Sequence, residues 1–376
     1  MIESRYEQHL AGDCSKPMRV LFVAPNYYPH IGGVERHVRE VSRELEKDGH
    51  LVTILVPKID DSYRDYEREG NVEVIRLRKP RFRIVASLQR KCQILRHLDG
   101  FLRADVIHFH DFATMWRYGR FIRPLLKALG KKIYITFHGW EGHVPPRTKT
   151  VARRKHLARV VDGNICVGHF IEKWYGTRAD IVTYGGVHRA PSVGSKGDHI
   201  VFVGRLAPDA GIACYLDAWD RIHRDNPGLR FLICGDGVLR EDLERFVRER
   251  GIRDVEFLGF VSDPETHVRD ARVVFTTGYL GILEAFSWRK PVVAAYDNEL
   301  KKDYLEMMPG CRDMMWVAHD AREVACCVAK ALHDEVKVEN AFRYSLENSW
   351  ERVKEDYYRL WGVPAGGTAP REGRNR

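Results

Sequence analysis

Apolar residues in this chain fall into short runs separated by stretches of helical spacing. Arg19–Ala24 reads as a buried strand. Val34, Val38, Val41 and Leu45 then recur at intervals of four, three and four, which predicts an amphipathic helix closed by Gly49. Further strands are predicted over Leu51–Val56, Val72–Leu77, Ala104–Phe109, Lys132–Phe137, Gly163–Val167 and Ile181–Tyr184, with a helix over 117–129. Residues 188–198 (HRAPSVGSKGD) are polar and rich in turn formers, the best linker in the chain. The alternation restarts beyond it. Strands are predicted at Ile200–Val203, Arg230–Cys234, Val255–Leu258, Val273–Phe275 and Val292–Ala295, with helices over 211–225 and 239–250. A last helix over 346–361 places Trp350, Val353, Tyr357 and Trp361 near one face. Strands alternating with helices predict an α/β fold of two Rossmann-like, doubly wound domains facing across a cleft. Ligands should then gather at the carboxyl ends of the strands.

The predicted organisation has five parts. Residues 1–17 form a polar extension, with Met18 a candidate start; 18–190 and 191–345 are the two domains; 346–362 is a helix packing back near the first domain; 363–376 is a disordered, Gly/Pro/Arg-rich tail. The polar start is not expected to act as a secretory signal, and no apolar run approaches the roughly 18 residues of a membrane span. Eight scattered cysteines without a CxxC pair read as reduced thiols, so a cytoplasmic location is expected, with peripheral attachment to the membrane face as a possibility that charge raises. The net charge of +9 is concentrated. Residues 78–103 carry eight Lys/Arg against one Asp, and 147–159 are basic without an acid. Such segments suit a solvated surface, a groove for an anionic substrate, or an anionic membrane touched by a basic amphipathic helix near 86–103. No RNP, KH, helix-turn-helix or zinc-finger signature is present, so no nucleic-acid partner is expected.

The chemistry concentrates in Phe275–Pro291, FTTGYLGILEAFSWRKP. A strand that breaks at Thr-Thr-Gly and enters a helix offers free amides and a partial positive charge, which suit a phosphate. Glu284, further into that helix, would repel a phosphate and suits a sugar or ribose hydroxyl. Gly32-Gly33 at the first strand–helix junction lets backbone approach a second phosphate face. Arg205 follows another strand end and can grip a diphosphate through its forked guanidinium. Together these residues form the outline of a nucleotide-sugar site.

Ordered motifs sharpen this outline: YYPHIGGVERHV, DVIHFHD, TFHGWEG, ICVGHF and YGGV, then FVGRLAPDAG, FLICGDGVLREDLE, VEFLGFV and GYLGILEAFSWRKPVVA. Over roughly residues 18–361 the chain resembles the family 4 glycosyltransferases, retaining enzymes of the GT-B fold. The resemblance implies transfer of a sugar from a nucleotide-sugar donor to a hydroxyl of a lipid-linked or polymeric glycan acceptor, with no cofactor and no metal. It places His138, Arg205 and Glu284 in the catalytic set. It places Gly32, Gly33, Gly204, Arg205, Gly235, Asp236, Phe260, Val261, Thr276, Gly278, Tyr279, Leu280 and Glu284 around the donor, and Gly139, Trp140 and Glu141 on the acceptor side. Asp111 and Glu141 are candidate bases that the leaving phosphate makes unnecessary. His108, Trp174 and Tyr175 read better as core. Two positions depart from the family. Ala210 stands where a phosphate-binding Lys is expected, and Thr276 where a sugar-binding Glu is expected. They motivate two alternatives: a degenerate relative that binds nucleotide sugar without efficient transfer, or a nucleotide-sugar epimerase.

Overall fold

The computed structural model describes residues 17–79, 85–191 and 194–364. The extension before Pro17 and the tail after Pro364 lie outside them. Eight strands form the first sheet: β1 Arg19–Val23, β2 Leu51–Pro57, β3 Tyr66–Glu69, β4 Val72–Leu77, β5 Val106–His110, β6 Ile133–Phe137, β7 Gly163–Val167 and β8 Ile181–Thr183. Their order is β3-β4-β2-β1-β5-β6-β7-β8. Every pairing is parallel except β3 with β4. The second sheet holds β9 His199–Val203, β10 Arg230–Cys234, β11 Val255–Gly259, β12 Val273–Phe275, β13 Val292–Ala295 and β14 Trp316–Ala318, in the order β11-β10-β9-β12-β13-β14. In each sheet the strand order reverses once, beside β1 and β5 in the first and beside β9 and β12 in the second. Those switch points are where such sheets take ligands.

Period-two alternation explains why the strands sit where they do. Val20, Phe22 and Ala24 enter one buried cluster, while Leu21 and Val23 enter another on the opposite face. The second of these clusters runs on into the other half, through Tyr184 and Val187 to Tyr279, Ile282 and Leu283. Helix Trp350–Trp361 returns to the first sheet. Ser349 caps it by accepting from Arg352 N–H at 3.2 Å. Trp350, Val353, Tyr357, Tyr358 and Trp361 bury against Val20, Phe22, Val106 and Ile165. At about 2 kcal/mol per large apolar side chain, this face alone accounts for the docking.

Several expectations need correction. The basic helix near 86–103 is two helices, Ala86–Arg96 and Leu98–Arg103, broken at His97. The helix expected over 117–129 is a π-turn at Met115–Gly119 followed by Arg123–Ala128. The last helix begins at Trp350 because a separate helix, Glu335–Glu347, ends just before it. Strands β3 and β14 went unforeseen, being too short to show a period.

Candidate functional site

The loop after β1 delivers Gly32 as the N-terminal cap of helix Gly33–Lys47. No side chain caps that helix, so its first amides face outward. Arg36, one turn on, reaches across to the second half. Its guanidinium donates to Glu284 Oε2 at 2.7 Å. Burial works against the Arg36 charge, but the Glu284 charge and hydrogen bond outweigh it and raise the guanidinium pKa. The Gly32-Gly33 helix start and the Glu284 helix therefore meet directly. Sequence reasoning missed Arg36. Its one signal was a cation in the first turns of a helix, where the dipole disfavours it.

In the second half, Gly204 and Arg205 follow β9, Gly235 and Asp236 follow β10, Phe260 and Val261 follow β11, and Gly278 follows β12. A Cβ on Gly235 would fall 1.8 Å from the Gly204 carbonyl oxygen, so only glycine lets the two strand ends lie this close. Arg205 is exposed (72% of its side chain), and its ion-pair partner is Asp209 at 3.3 Å. Asp236 accepts from Gly237 N–H and pairs with Arg240 at 3.3 Å. Phe260 is exposed; Val261 is half-buried.

Gly278 caps helix Tyr279–Ser287 without a side-chain bond. The expectation that Gly278, Tyr279 and Leu280 all offer free amides is met only in part. Tyr279 N–H donates to the Tyr304 hydroxyl at 3.1 Å. The amides of Leu280 and Gly281 form no bond among the described residues, since backbone pairing starts at Ile282 N–H to Gly278. Thr276 is also placed differently from the expectation that it reads a sugar. It is buried, and a Cβ on Gly281 would sit 2.6 Å from its Oγ1, so the hydroxyl lies against the helix start. Leu280 packs toward Gly185 of the first half.

His138, at the end of β6, is 9% exposed. Its Nε2 hydrogen-bonds His110 Nδ1 at 3.2 Å. Burial holds the pKa values of His108, His110 and His138 well below the ordinary histidine range and lowers His37 to about 4. All four are neutral near pH 7. His108 is locked from behind. The Trp361 indole is donor only, so His108 accepts it at Nδ1 (3.1 Å) and gives its Nε2 proton to Thr136 (2.8 Å). Thr136 and His37 both bond the Tyr357 hydroxyl, at 3.0 and 2.9 Å. The last helix thus braces the floor under His138.

Gly139 has φ +49°, a left-handed conformation that turns the chain sharply after His138. Trp140 is half-buried against the core. Glu141 does not face an acceptor as a free carboxylate. Its Oε1 takes Arg154 at 2.6 Å, and its Oε2 takes the Tyr175 hydroxyl at 2.7 Å. Arg154 belongs to the basic 147–159 segment but is 1% exposed, stacked 4.1 Å from the Tyr175 ring. Of the readings given for this segment, a solvated surface, an anionic groove or a membrane contact, none applies to Arg154 itself. Asp111, the residue after β5, has φ +73° and a buried Oδ1 that forms no hydrogen bond among the described residues, with the Arg154 guanidinium 4.0 Å away. Burial raises its pKa, while Arg154 opposes the shift. A left-handed backbone and a carboxylate oxygen short of a hydrogen bond set Asp111 apart at this switch point.

Two wound sheets with opposed carboxyl ends, an arginine at one switch point and uncapped helix starts at both, define the GT-B class of glycosyltransferases. The family models agree. Residues 31–183 match "Glycosyltransferase Family 4", and 197–334 match "Glycosyl transferases group 1". The chain belongs to the family 4 glycosyltransferases, and it is an enzyme of that kind. An uncharacterized glycosyltransferase of Methanocaldococcus jannaschii is 23% identical over 87% of this chain and 93% of its own length. A Campylobacter jejuni N-acetylgalactosaminyltransferase, named for a diNAcBac-PP-undecaprenol-linked acceptor, is 24% identical over 86% of this chain and 91% of its own. Among solved structures, Anabaena HepE with UDP and glucose superposes with TM-score 0.71 at 15% identity, covering 92% of this chain and 99% of that one. No described helix is long and apolar enough to cross a membrane.

Proposed function

We propose that the enzyme moves a sugar, with retention at the anomeric carbon, from a nucleotide-sugar donor to a hydroxyl of a lipid-linked or polymeric glycan acceptor. The observation that carries this reading is the Arg36–Glu284 bond, which joins two helices that each begin without a side-chain cap. A diphosphate between them meets Arg205, the amides of the Gly32-Gly33 turn and those of Leu280 and Gly281. Fixed donors of this kind stabilise charge building on a leaving group, and they need no metal. Glu284 keeps its second oxygen for a ribose hydroxyl, and neutral His138 offers a hydrogen bond to the sugar. Asp111 and Glu141 are not required as bases, because the departing phosphate can take the acceptor proton.

The acceptor class draws on the Campylobacter relative and on the Mycobacterium tuberculosis phosphatidyl-myo-inositol mannosyltransferase, 25% identical over 65% of this chain and 67% of its own length. Charge and shape support it. Leu88, Leu95 and Leu102 stand exposed on the paired helices beside Arg90, Lys91, Arg96 and Arg103. The test is incubation with UDP-, GDP- and ADP-sugars and a polyprenyl-diphosphate or phosphoinositide acceptor, with product linkage read by NMR. Glycosylated acceptor with the donor's anomeric configuration is expected. Epimerised donor without acceptor, or donor binding without turnover, would favour one of the two alternatives.

A further inference from the structure

The loop that follows Arg205 runs through the short turn Pro208–Ala210 to Gly211. A Cβ on Gly211 would lie 3.2 Å from that of Ala295, so this loop packs on the end of β13. Helix Glu299–Glu306 begins just beyond that strand end. Its third residue, Lys301, is 5% exposed. Among the described residues its ammonium forms no hydrogen bond and no ion pair; it rests over the Tyr304 ring, 4.4 Å from the centroid. The hydroxyl of that same ring takes Tyr279 N–H at the start of the Glu284 helix. One tyrosine thus separates a largely buried lysine, paired with no carboxylate among the described residues, from a helix start with two free amides.

The nearby carboxylates are engaged elsewhere. Asp209 is held by Arg205, and Asp297 accepts from the Asn298 side chain at 2.7 Å. Burial lowers the Lys301 pKa to about 8; Asp209 and Asp297 oppose that shift and Arg205 adds to it. A largely buried lysine beside a second cation gains when an anion joins the pair. We propose that Lys301 is the second cationic ligand of the donor diphosphate, working with Arg205 from the strand end next to Ala210. This deepens the donor-site reading above and rests on it.

The test measures binding of UDP, GDP and ADP to the full chain by calorimetry, then compares the tightest diphosphate with its monophosphate in wild type and Lys301→Met. Loss of the diphosphate contact should weaken diphosphate binding by about tenfold or more. Monophosphate binding should stay within about twofold. Ala210→Lys added to Lys301→Met should restore part of the loss. The apo melting temperature of Lys301→Met should equal or exceed that of wild type, because an unpaired charge has left the interior. As a second readout, wild-type diphosphate affinity should fall between pH 7.5 and 9.5 as the ammonium loses its proton. The other charged or titratable groups around it are Arg205, Asp209, Asp297 and Tyr304, and burial raises the Tyr304 pKa. Equal diphosphate affinity in wild type and Lys301→Met overturns the assignment, as does an equal loss for monophosphate and diphosphate. A wild type that binds none of the three diphosphates overturns the donor-site reading itself.

Discussion

Arg36 and Glu284 are 248 positions apart in sequence and meet at 2.7 Å, one from each half of the molecule. The bond fixes the carboxylate between the halves before any ligand arrives, and in the function proposed above that carboxylate takes the ribose. Ribose and diphosphate losses should therefore separate. Glu284→Ala should weaken nucleoside and nucleoside diphosphate alike by about tenfold, whereas Arg205→Ala should weaken only the diphosphate. Calorimetry on both variants, with melting temperatures to show that the fold survives, checks this. Wild-type affinities in both would sink the site.

Removing Arg36 probes the bond itself. In a double-mutant cycle over Arg36→Ala and Glu284→Ala, the coupling in melting stability should be about 1 kcal/mol, since both side chains are partly exposed. Zero coupling would show that the two halves are held by apolar packing alone.

Glu141 separates a structural from a catalytic role. Glu141→Ala takes the nearer anion from buried Arg154, leaving Asp111 at 4.0 Å, and should cost about 3 kcal/mol of stability. Glu141→Gln keeps the shape and part of the bonding, so turnover per folded molecule should stay within about threefold of wild type. A fall of a hundredfold in the Gln variant, with the fold intact, would instead make Glu141 a base.

The histidine floor sets the acid limit. His37, His108, His110 and His138 have folded pKa values below the unfolded value, so the unfolded chain binds more protons as pH falls. The histidine contribution should be flat above about pH 7, and stability should fall steeply from pH 6.5 toward 4, by up to about 1.4 kcal/mol per pH unit for each histidine that must stay neutral. His37→Phe should flatten the slope in a melting series. An unchanged slope would move the acid sensitivity elsewhere.

Membrane attachment predicts a charge-dependent partition. Leu88→Glu with Leu95→Glu should lower binding to phosphatidylglycerol vesicles by about tenfold, and 0.5 M salt should weaken wild-type binding. Sedimentation reads both. Binding that ignores salt and both substitutions would assign the leucines another partner.

The two-sheet architecture was legible because buried parallel strands read as apolar runs punctuated by turns: Arg230–Cys234, Val273–Phe275 and Val292–Ala295 have the bounds the pattern gave. Trp350 and Trp361 declared the last helix through their spacing, though not its start. Beyond that, legibility failed where side chains meet across long sequence distances. Nothing near Arg36 announces Glu284, and nothing near Lys301 announces Arg205. Arg154 looked like one more surface charge because its partners, Glu141 and Tyr175, arrive from a loop and a neighbouring helix. Nothing in the sequence singled out Tyr304, yet its hydroxyl takes an amide that the pattern left free for a ligand.

The backbone bridge between Val187 and Ser349 has a mechanical consequence. The chain passes between the halves twice, outward after β8 and back before helix Trp350–Trp361, and the bridge lays those two passages side by side. A double tether of this kind permits flexing about a single axis while opposing torsion. Opening to admit substrate should then preserve the lateral alignment of the halves, so that each closure returns Arg36 to the same carboxylate.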